Sequence, residues 1–491
     1  MGNGIIKELA QIIENTDRPD AKKLKEHNVH IGLRDDQGAG IVVGATTKGC
    51  VIGYEKIPLA KLKGEDGNAD LREIDAGKIF QELYGSLPTA EQLNAFLPQL
   101  KEIVPYKMKP VEGRLYYCGI EINEIANAHR HGFGFEEVSY LLLTGELPSK
   151  EKFSKFSEYL KTNRSLPAGY RNALIHQFSS SNIMNTLQTA VDNLYYLDQN
   201  PDSTSVEDIT RHSMDMIAKF PCILAYAYQG MKYKFMDSDL NIVMPSYDAT
   251  IAEDFLRMLL PERKFSKDEA HLLDTFLILH AEHGGGNNST FTTRVVSSTE
   301  TDTFSAISSG LASLKGPLHG GANQKVMSMM DDIKKNVNNW DDKEEVASYL
   351  AKLIRKEAGD KSGKIYGLGH AVYTLSDPRA RIIRQEADWL AKDRGRMDEL
   401  LLLDSVAELA PEVFKKVKGS SKVISPNVDF YTGFVLDCLG IPKEIYTPLF
   451  AMARVSGWCA HRLEQLVQNR IIRPAYLELV PSRPYIALEQ R

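Results

Sequence analysis

The chain has 491 residues, 43% of them hydrophobic and 25% charged, which is the make-up of an ordinary soluble globular protein. That length exceeds what one hydrophobic core usually holds, so two or more domains are expected. A net charge of -6 argues against a general nucleic-acid or membrane surface and leaves room for a local basic pocket.

In chain order, Met1-Gly2 opens like a myristoylation signal, but Ile6 stands where Ser or Thr is needed. Lys7 and Arg18 face Glu8, Glu14, Asp17 and Asp20, the wrong balance for a transit or signal peptide. Ile5, Ile6, Leu9, Ile12 and Ile13 recur at helical spacing, so residues 1–27 predict a short helix and a charged tail. Residues 29–57 alternate β-branched runs with Gly-rich turns (IGLRDDQGAGIVVGATTKGCVIGY) and predict a small β-hairpin. Residues 58–110 read as a charged loop with one helix ending near Leu100. From about 120 the pattern is helix after helix, at 136–143, 150–161, 206–230, 249–260, 267–282, 322–335, 343–357, 379–393 and 443–468 among others. The fold class is therefore mainly α, with one small β excursion. Segments 81–96 and 140–156 share a Gly-x-Leu-Pro break between helices, but one pair is no repeat architecture.

No apolar run approaches the ~18 residues of a spanning helix. Cys50, Cys118, Cys222, Cys438 and Cys459 form no CxxC pair, which points to reduced thiols rather than disulfides or a thiolate zinc site. A cytoplasmic location is expected.

Four segments gather His, Arg and Asp at helix ends. In HAEHGGGNNST (280–290), Leu272, Leu273, Phe276 and Leu279 mark a helix that the glycines stop. A protonated His283 in its last turn would be favoured by the dipole and could hold a carboxylate. His280 and His283 also lie three apart, as a metal pair would, though no third ligand is nearby. His280 alone reads better as a core histidine. In GPLHGGAN (316–323), His319 precedes a helix N-terminus, where the dipole keeps an imidazole neutral. Two readings stand here: a donor to an enolate oxygen, or a plain Gly-rich helix entry.

In GLGHAVYTLSDPR (367–379), Gly367 and Gly369 let backbone amides approach a ligand, and His370 follows. Asp377 and Pro378 form a helix start. Arg379 falls in the first turn, where the dipole disfavours a cation, so an anion to bind is implied. In NVDFYTG (427–433), Asp429 taken alone reads as an N-cap. Arg454 interrupts the apolar face of Leu449, Phe450, Val455 and Trp458, and a buried Arg demands an anionic partner. Arg473 before Pro474 would otherwise be a surface charge.

Together, in order and spacing across about 115–480, these motifs resemble the citrate synthase family, which joins acyl-CoA to oxaloacetate. The resemblance implies a nearly all-helical fold with a large domain (106–317 and 441–491). A small domain (318–440) would close over the substrates, behind an N-terminal extension (1–105). It implies a homodimer, no cofactor beyond the coenzyme A thioester substrate, and no metal. Position by position, it makes Asp429 the base, His319 the stabiliser of the acetyl-CoA enol, and His370 the group that polarises the oxaloacetate ketone. His283, Arg379, Arg454 and Arg473 would hold the oxaloacetate carboxylates, with Arg473 completing the partner subunit's site.

Departures touch the coenzyme. Where many bacterial members carry Arg and Lys that hold CoA phosphates, this chain has Ala371 and Thr374, which leaves Lys364, with Gly367 and Gly369, as the candidate CoA contacts. The family's G-x-L-x-Y-R-G reads EGRLYYCG, with Cys118 for Arg, and 58–105 has the look of an insertion. Two alternatives share the fold: 2-methylcitrate synthase, using propionyl-CoA, and a catalytically silent acyl-CoA-binding protein. A metal hydrolase built on His280 and His283 is a third.

Overall fold

The computed structural model describes residues 29–35, 39–58, 106–260, 262–419, 423–467, 469–478 and 482–490, with Gln11, Thr89 and Gln92 besides. The helix expected in 1–27, the helix expected to end near Leu100 and the insertion expected over 58–105 lie almost wholly outside the described residues. The chain forms two compact units, Met1–Val43 with Ile472–Arg491, and Gly44–Ile471. In the described part of the first, the bridge between Arg34 and Gly40 is closed by Ala39 N–H donating to Asp35 (2.9 Å). Arg473 lies in this unit and is exposed.

The second unit holds, among the described residues, sixteen α-helices and one antiparallel sheet, so the chain is mainly α. The strands are β1 (Gly49–Pro58), β2 (Tyr106–Tyr117) and β3 (Ile120–Glu121). The first helices are α1 (Ile122–Ala128), α2 (Phe135–Thr144), α3 (Lys150–Thr162), α4 (Ala168–His176), α5 (Ile183–Leu194) and α6 (Val206–Phe235). Then come α7 (Ile251–Leu259), α8 (Lys267–His280), α9 (Asn288–Ser297), α10 (Thr303–Lys315) and α11 (Ala322–Asn336). The last are α12 (Lys343–Ile354), α13 (Pro378–Asp393), α14 (Met397–Lys418), α15 (Val428–Cys438) and α16 (Tyr446–Val467).

Local chemistry explains many of these ends. Thr250 with Glu253 and Ser266 with Glu269 form capping boxes that satisfy the first N–H groups of α7 and α8. Asp377 caps α13 with Pro378 at its first position, as the sequence predicts. The buried α16, with Trp458 and Arg454 inside, packs against α2, α5, α6, α8, α9 and α10. A second group, α11 to α15, packs mainly on itself through the pairs α13–α15, α12–α14 and α11–α15. No helix of the described residues is long and apolar enough to cross a membrane.

The β expectation needs correcting. Among the described residues of 29–57, the local fold-back is limited to the Arg34–Gly40 bridge and the bonds around it. The strand of that stretch, β1, pairs instead with β2, from Gly49 opposite Tyr117 to Pro58 opposite Tyr106. The reason lies in β2: Gly113, Leu115 and Tyr117 are buried while Glu112 and Arg114 are exposed, a period-two face that the Gly-rich 36–47 stretch does not offer.

The ladder shifts register between Ile52 and Tyr54, and there the sheet meets residues 372–376. The Thr374 hydroxyl sits between the carbonyl oxygens of Gly53 and Val111. Gly113 N–H donates to Ser376 Oγ (3.1 Å), and Arg381 pairs with Glu112 (2.7 Å). A methyl on Gly53 would collide with the backbone of Val372 and Tyr373. Gly53→Ala is therefore expected to cost ~1–3 kcal/mol, as overpacking does, read as a lower urea midpoint at unchanged slope. An unchanged midpoint would mean that the 372–376 segment retreats freely.

Candidate active site

Four stretches of Gly44–Ile471 converge. The first is the turn after α8. His280 ends that helix in the core, stacked on Phe276 (centroids 4.0 Å apart) with Nδ1 on the Phe276 carbonyl (2.8 Å). The core reading of His280 is the right one. His283 lies beyond the helix end and is buried, its ring 5.2 Å from that of His370 and 5.6 Å from Tyr373. Burial, then the charge of Arg379, holds the His283 pKa well below the ordinary imidazole value. The expectation of a protonated His283 favoured by the helix dipole therefore fails: desolvation outweighs the dipole, and the neutral ring can offer an N–H to a carboxylate.

The second stretch leads into α11. His319 Nε2 lies 3.0 Å from Ser289 Oγ, which also contacts Trp458 Nε1 (3.3 Å) and Asn287 Oδ1 (2.8 Å). The His319 pKa falls to about 4, first through burial and then through Arg454, so the ring is neutral as expected. Burial is the main reason, where the sequence suggested the helix terminus.

The third and fourth stretches are tied to each other. Gly367 and Gly369 both have positive φ, and a side chain on Gly367 would press on Phe430 and Val326. Gly369 N–H donates to the Ser425 carbonyl (2.8 Å), Asn427 N–H to the Gly367 carbonyl (2.9 Å), and the Asn427 side chain to the Gly369 carbonyl (3.0 Å). The Gly369 amide, expected to face a ligand, is thus engaged within the chain. Lys364 is exposed at the start of this loop. His370 Nδ1 accepts from Val372 N–H (3.0 Å) and Tyr373 N–H (3.2 Å), so the proton of a neutral ring resides on Nε2.

Asp377 ties both stretches together. Its carboxylate accepts from Arg379 Nε (3.0 Å), Arg379 Nη2 (2.8 Å) and the Val428 amide (3.1 Å). Arg379 is therefore not a cation with nothing to gain structurally: it has a bidentate internal partner two residues away. The cap of α15 also needs correcting. Asn427, not Asp429, caps the helix, accepting from Asp429 N–H (3.1 Å), which leaves Asp429 in the first turn with its carboxylate unused by the cap. Burial raises the Asp429 pKa to about 6, against the opposing pull of Arg379.

Arg454 is fully buried on α16. Its Nε donates to the His280 carbonyl (2.7 Å) and its guanidinium lies 4.8 Å from the Phe450 ring centroid. Nη1 and Nη2 have no hydrogen-bond partner among the described residues, and burial lowers its pKa to about 10. Its charge is felt at His283, His319 and Asp429, which marks one shared site. Arg473 lies in the other compact unit.

Sequence reasoning missed several supports. Ser289 and Trp458 anchor His319, Tyr373 lies between His283, His370 and Arg379, and Asp377 is far more than a cap. The D-P-R spacing was the one local signal for the Asp377–Arg379 pair.

The family profile described as citrate synthase, C-terminal domain, matches residues 105–475. The chain belongs to the citrate synthase family. A citrate synthase of Deinococcus radiodurans is 39% identical over 363 residues, covering 74% of this chain and 89% of that protein. A 2-methylcitrate synthase 1 of Corynebacterium glutamicum is 34% identical over 373 residues, covering 75% and 90%. Among solved structures, citrate synthase from Pyrobaculum aerophilum superposes with a TM-score of 0.64 at 30% identity, over 77% of this chain and 90% of that one. The ternary complex of carboxymethyl coenzyme A and oxaloacetate with citrate synthase from Thermoplasma acidophilum gives 0.64 at 27%, over 77% and 93%.

Removing Asp377 should strand a buried cation. Asp377→Ala is expected to cost ~3–5 kcal/mol in urea unfolding, and the double variant Asp377→Ala with Arg379→Met should recover much of that loss. If the double variant is no more stable than the single one, the Asp377 carboxylate acts mainly as the cap and the Val428 acceptor.

Proposed function

We propose that this family member condenses acetyl-CoA with oxaloacetate and hydrolyses the citryl-CoA formed, giving citrate and free CoA. The observation that carries this reading is the buried Arg454 with both terminal nitrogens unpartnered, beside neutral histidines and a carboxyl of raised pKa. A buried guanidinium calls for an anion, and oxaloacetate supplies two carboxylates.

In this reading His283, Arg379 and Arg454 orient oxaloacetate, joined by Arg473 of the partner subunit in a homodimer. The Asp429 carboxylate removes a methyl proton from acetyl-CoA while His319 donates a hydrogen bond to the thioester oxygen, so no full negative charge develops there. For that donation the His319 proton must reside on Nδ1, with Nε2 accepting from Ser289. This in turn requires the Asn287 amide to present its NH2 to the Ser289 oxygen. The enol carbon then attacks the ketone as His370 Nε2–H polarises the ketone oxygen and supplies its proton. Closure of 318–440 over the rest would exclude water until hydrolysis. Lys364 stands as the CoA phosphate contact, with Gly367 and Gly369 shaping the approach. A cytoplasmic location fits these substrates, and the chemistry asks for no cofactor or metal.

The 34% identity to a 2-methylcitrate synthase supports a second reading, with propionyl-CoA as the acyl donor. One methylene is worth only ~1–3 kcal/mol in a pocket, so the same catalytic set serves both. Release of free CoA in the presence of oxaloacetate and either acyl-CoA, without added metal, is the deciding assay. No turnover with either thioester would sink both readings.

Asp429 sets the acid limb. With its pKa raised to about 6, the carboxylate needed as base is lost as pH falls through 6, whereas His319, near 4, stays neutral across that range. kcat/KM for acetyl-CoA should therefore fall about tenfold per unit below pH 6. Asp429→Asn should remove this limb and lower kcat by ~10²–10⁴ while oxaloacetate binding, followed by calorimetry, persists. Wild-type turnover in that variant would leave the mechanism without its base.

A further inference from the structure

Beside the His283 turn lies a largely buried relay of side chains with no part in the proposed reaction. Arg294 on α9 places Nη1 2.9 Å from Nδ1 of His461 and 2.6 Å from Glu464 Oε2. His461 Nε2 lies 2.9 Å from Glu282 Oε1, and both side chains are fully buried. The same Glu282 oxygen accepts the Gly284 N–H. Tyr117 fixes the other end of this turn, donating to the Ile278 carbonyl (2.9 Å) and accepting from Glu282 N–H (3.3 Å). His283 is thus held between two pinned neighbours.

The relay has a forced polarity. A guanidinium N–H only donates, so His461 Nδ1 facing Arg294 must be an acceptor and carry no proton. The ring is then the neutral tautomer whose Nε2–H donates to Glu282. A neutral donor holds the carboxylate in place without cancelling its charge. That charge faces α16, where a side chain on Gly457, one turn from Arg454, would press on Glu282 Oε2, and Glu282 is the strongest influence opposing burial at the Arg454 guanidinium. Glu282 Oε2 has no hydrogen-bond partner among the described residues, so its charge remains exposed to the interior.

We propose that Glu282 is a positioning residue with two separable duties: it pins the His283 turn, and it serves as the fixed counter-charge of Arg454 until oxaloacetate arrives. Arg294 and His461 form the brace that keeps it both oriented and charged. The inference rests on the reading of oxaloacetate as the ligand. The two duties predict opposite effects of two variants.

Glu282→Gln keeps an acceptor for His461 and Gly284 but removes the charge. The site then becomes more positive, oxaloacetate binds several-fold more tightly by calorimetry, and the empty protein melts lower with a larger rise on adding oxaloacetate. Glu282→Ala loses the pin as well, and oxaloacetate binding weakens several-fold. At pH 7, ¹⁵N spectra of histidine-labelled protein should show His461, assigned with His461→Gln, protonated on Nε2 alone. Parallel weakening in both Glu282 variants, binding unchanged in both, or a doubly protonated His461 would overturn the proposal. Wild-type protein that binds no oxaloacetate would overturn the functional reading, and this inference with it.

Discussion

Two guanidinium groups held away from water, Arg379 and Arg454, are the constraint around which the site is built. A charge in such a place needs an anion in good geometry or it destabilises the fold. The two are solved differently. Arg379 has the bidentate Asp377, and the pair doubles as the start of α13 and a clamp on the Val428 amide. Arg454 has one carbonyl, an aromatic face and the field of Glu282, but among the described residues no carboxylate bonded to its terminal nitrogens. These two cations also set the protonation of their neighbours. Both push His283 further toward neutrality, Arg454 does the same at His319, and both oppose the rise that burial imposes on Asp429. One electrostatic arrangement thus yields neutral N–H donors and a carboxylate of intermediate basicity together.

Geometry comes from backbone pairing rather than from any single helix. Residues 367–369 and 425–427 are joined by main-chain and Asn427 bonds, so the His370 loop and the start of α15 form one piece. The sheet grips the far end of the same loop, where Thr374 bonds to two strand carbonyls. That contact gives a physical meaning to the sequence departure at this position. A lysine there could reach a phosphate, whereas a short hydroxyl is captured by the sheet. The loop is thereby braced against the sheet.

Much of this was legible in the sequence, and what was not has a common cause. Helix periodicity and punctuation located most elements to within a few residues, because capping chemistry is local: Ser266 with Glu269 and Asp377 with Pro378 act over one turn. Motif spacing singled out His283, His319, His370, Arg379, Arg454 and Asp429, which the fold gathers. The small antiparallel sheet is legible, but the main partner of β1 is not, because strand pairing is not local and β2 lies some fifty residues from β1. The protonation of His283 was misjudged because a helix-dipole argument sees one helix, while desolvation depends on everything packed around it. The roles of Ser289, Trp458, Glu282 and His461 are not legible in the sequence, because each matters only through a neighbour distant in it.

The cap of α15 shows how a local rule and a functional demand can divide between adjacent residues. Read alone, the sequence suggests Asp429 as the cap, yet Asn427 two residues earlier satisfies a first-turn amide equally well. A capping carboxylate, however, accepts backbone N–H bonds that stabilise its charged form and drive its pKa down. Such a group is a poor proton acceptor. Asn427 takes the cap instead, and the Asp429 carboxylate is left without a hydrogen-bond donor among the described residues. Burial then lifts its pKa toward 6 while Arg379 and Arg454 keep it from rising further. A base for a weak carbon acid, the role proposed for Asp429, must be ionised near neutrality and yet retain affinity for a proton. Moving the cap two residues upstream gives Asp429 both properties, so the choice of capping residue is part of the chemistry as well as of the helix.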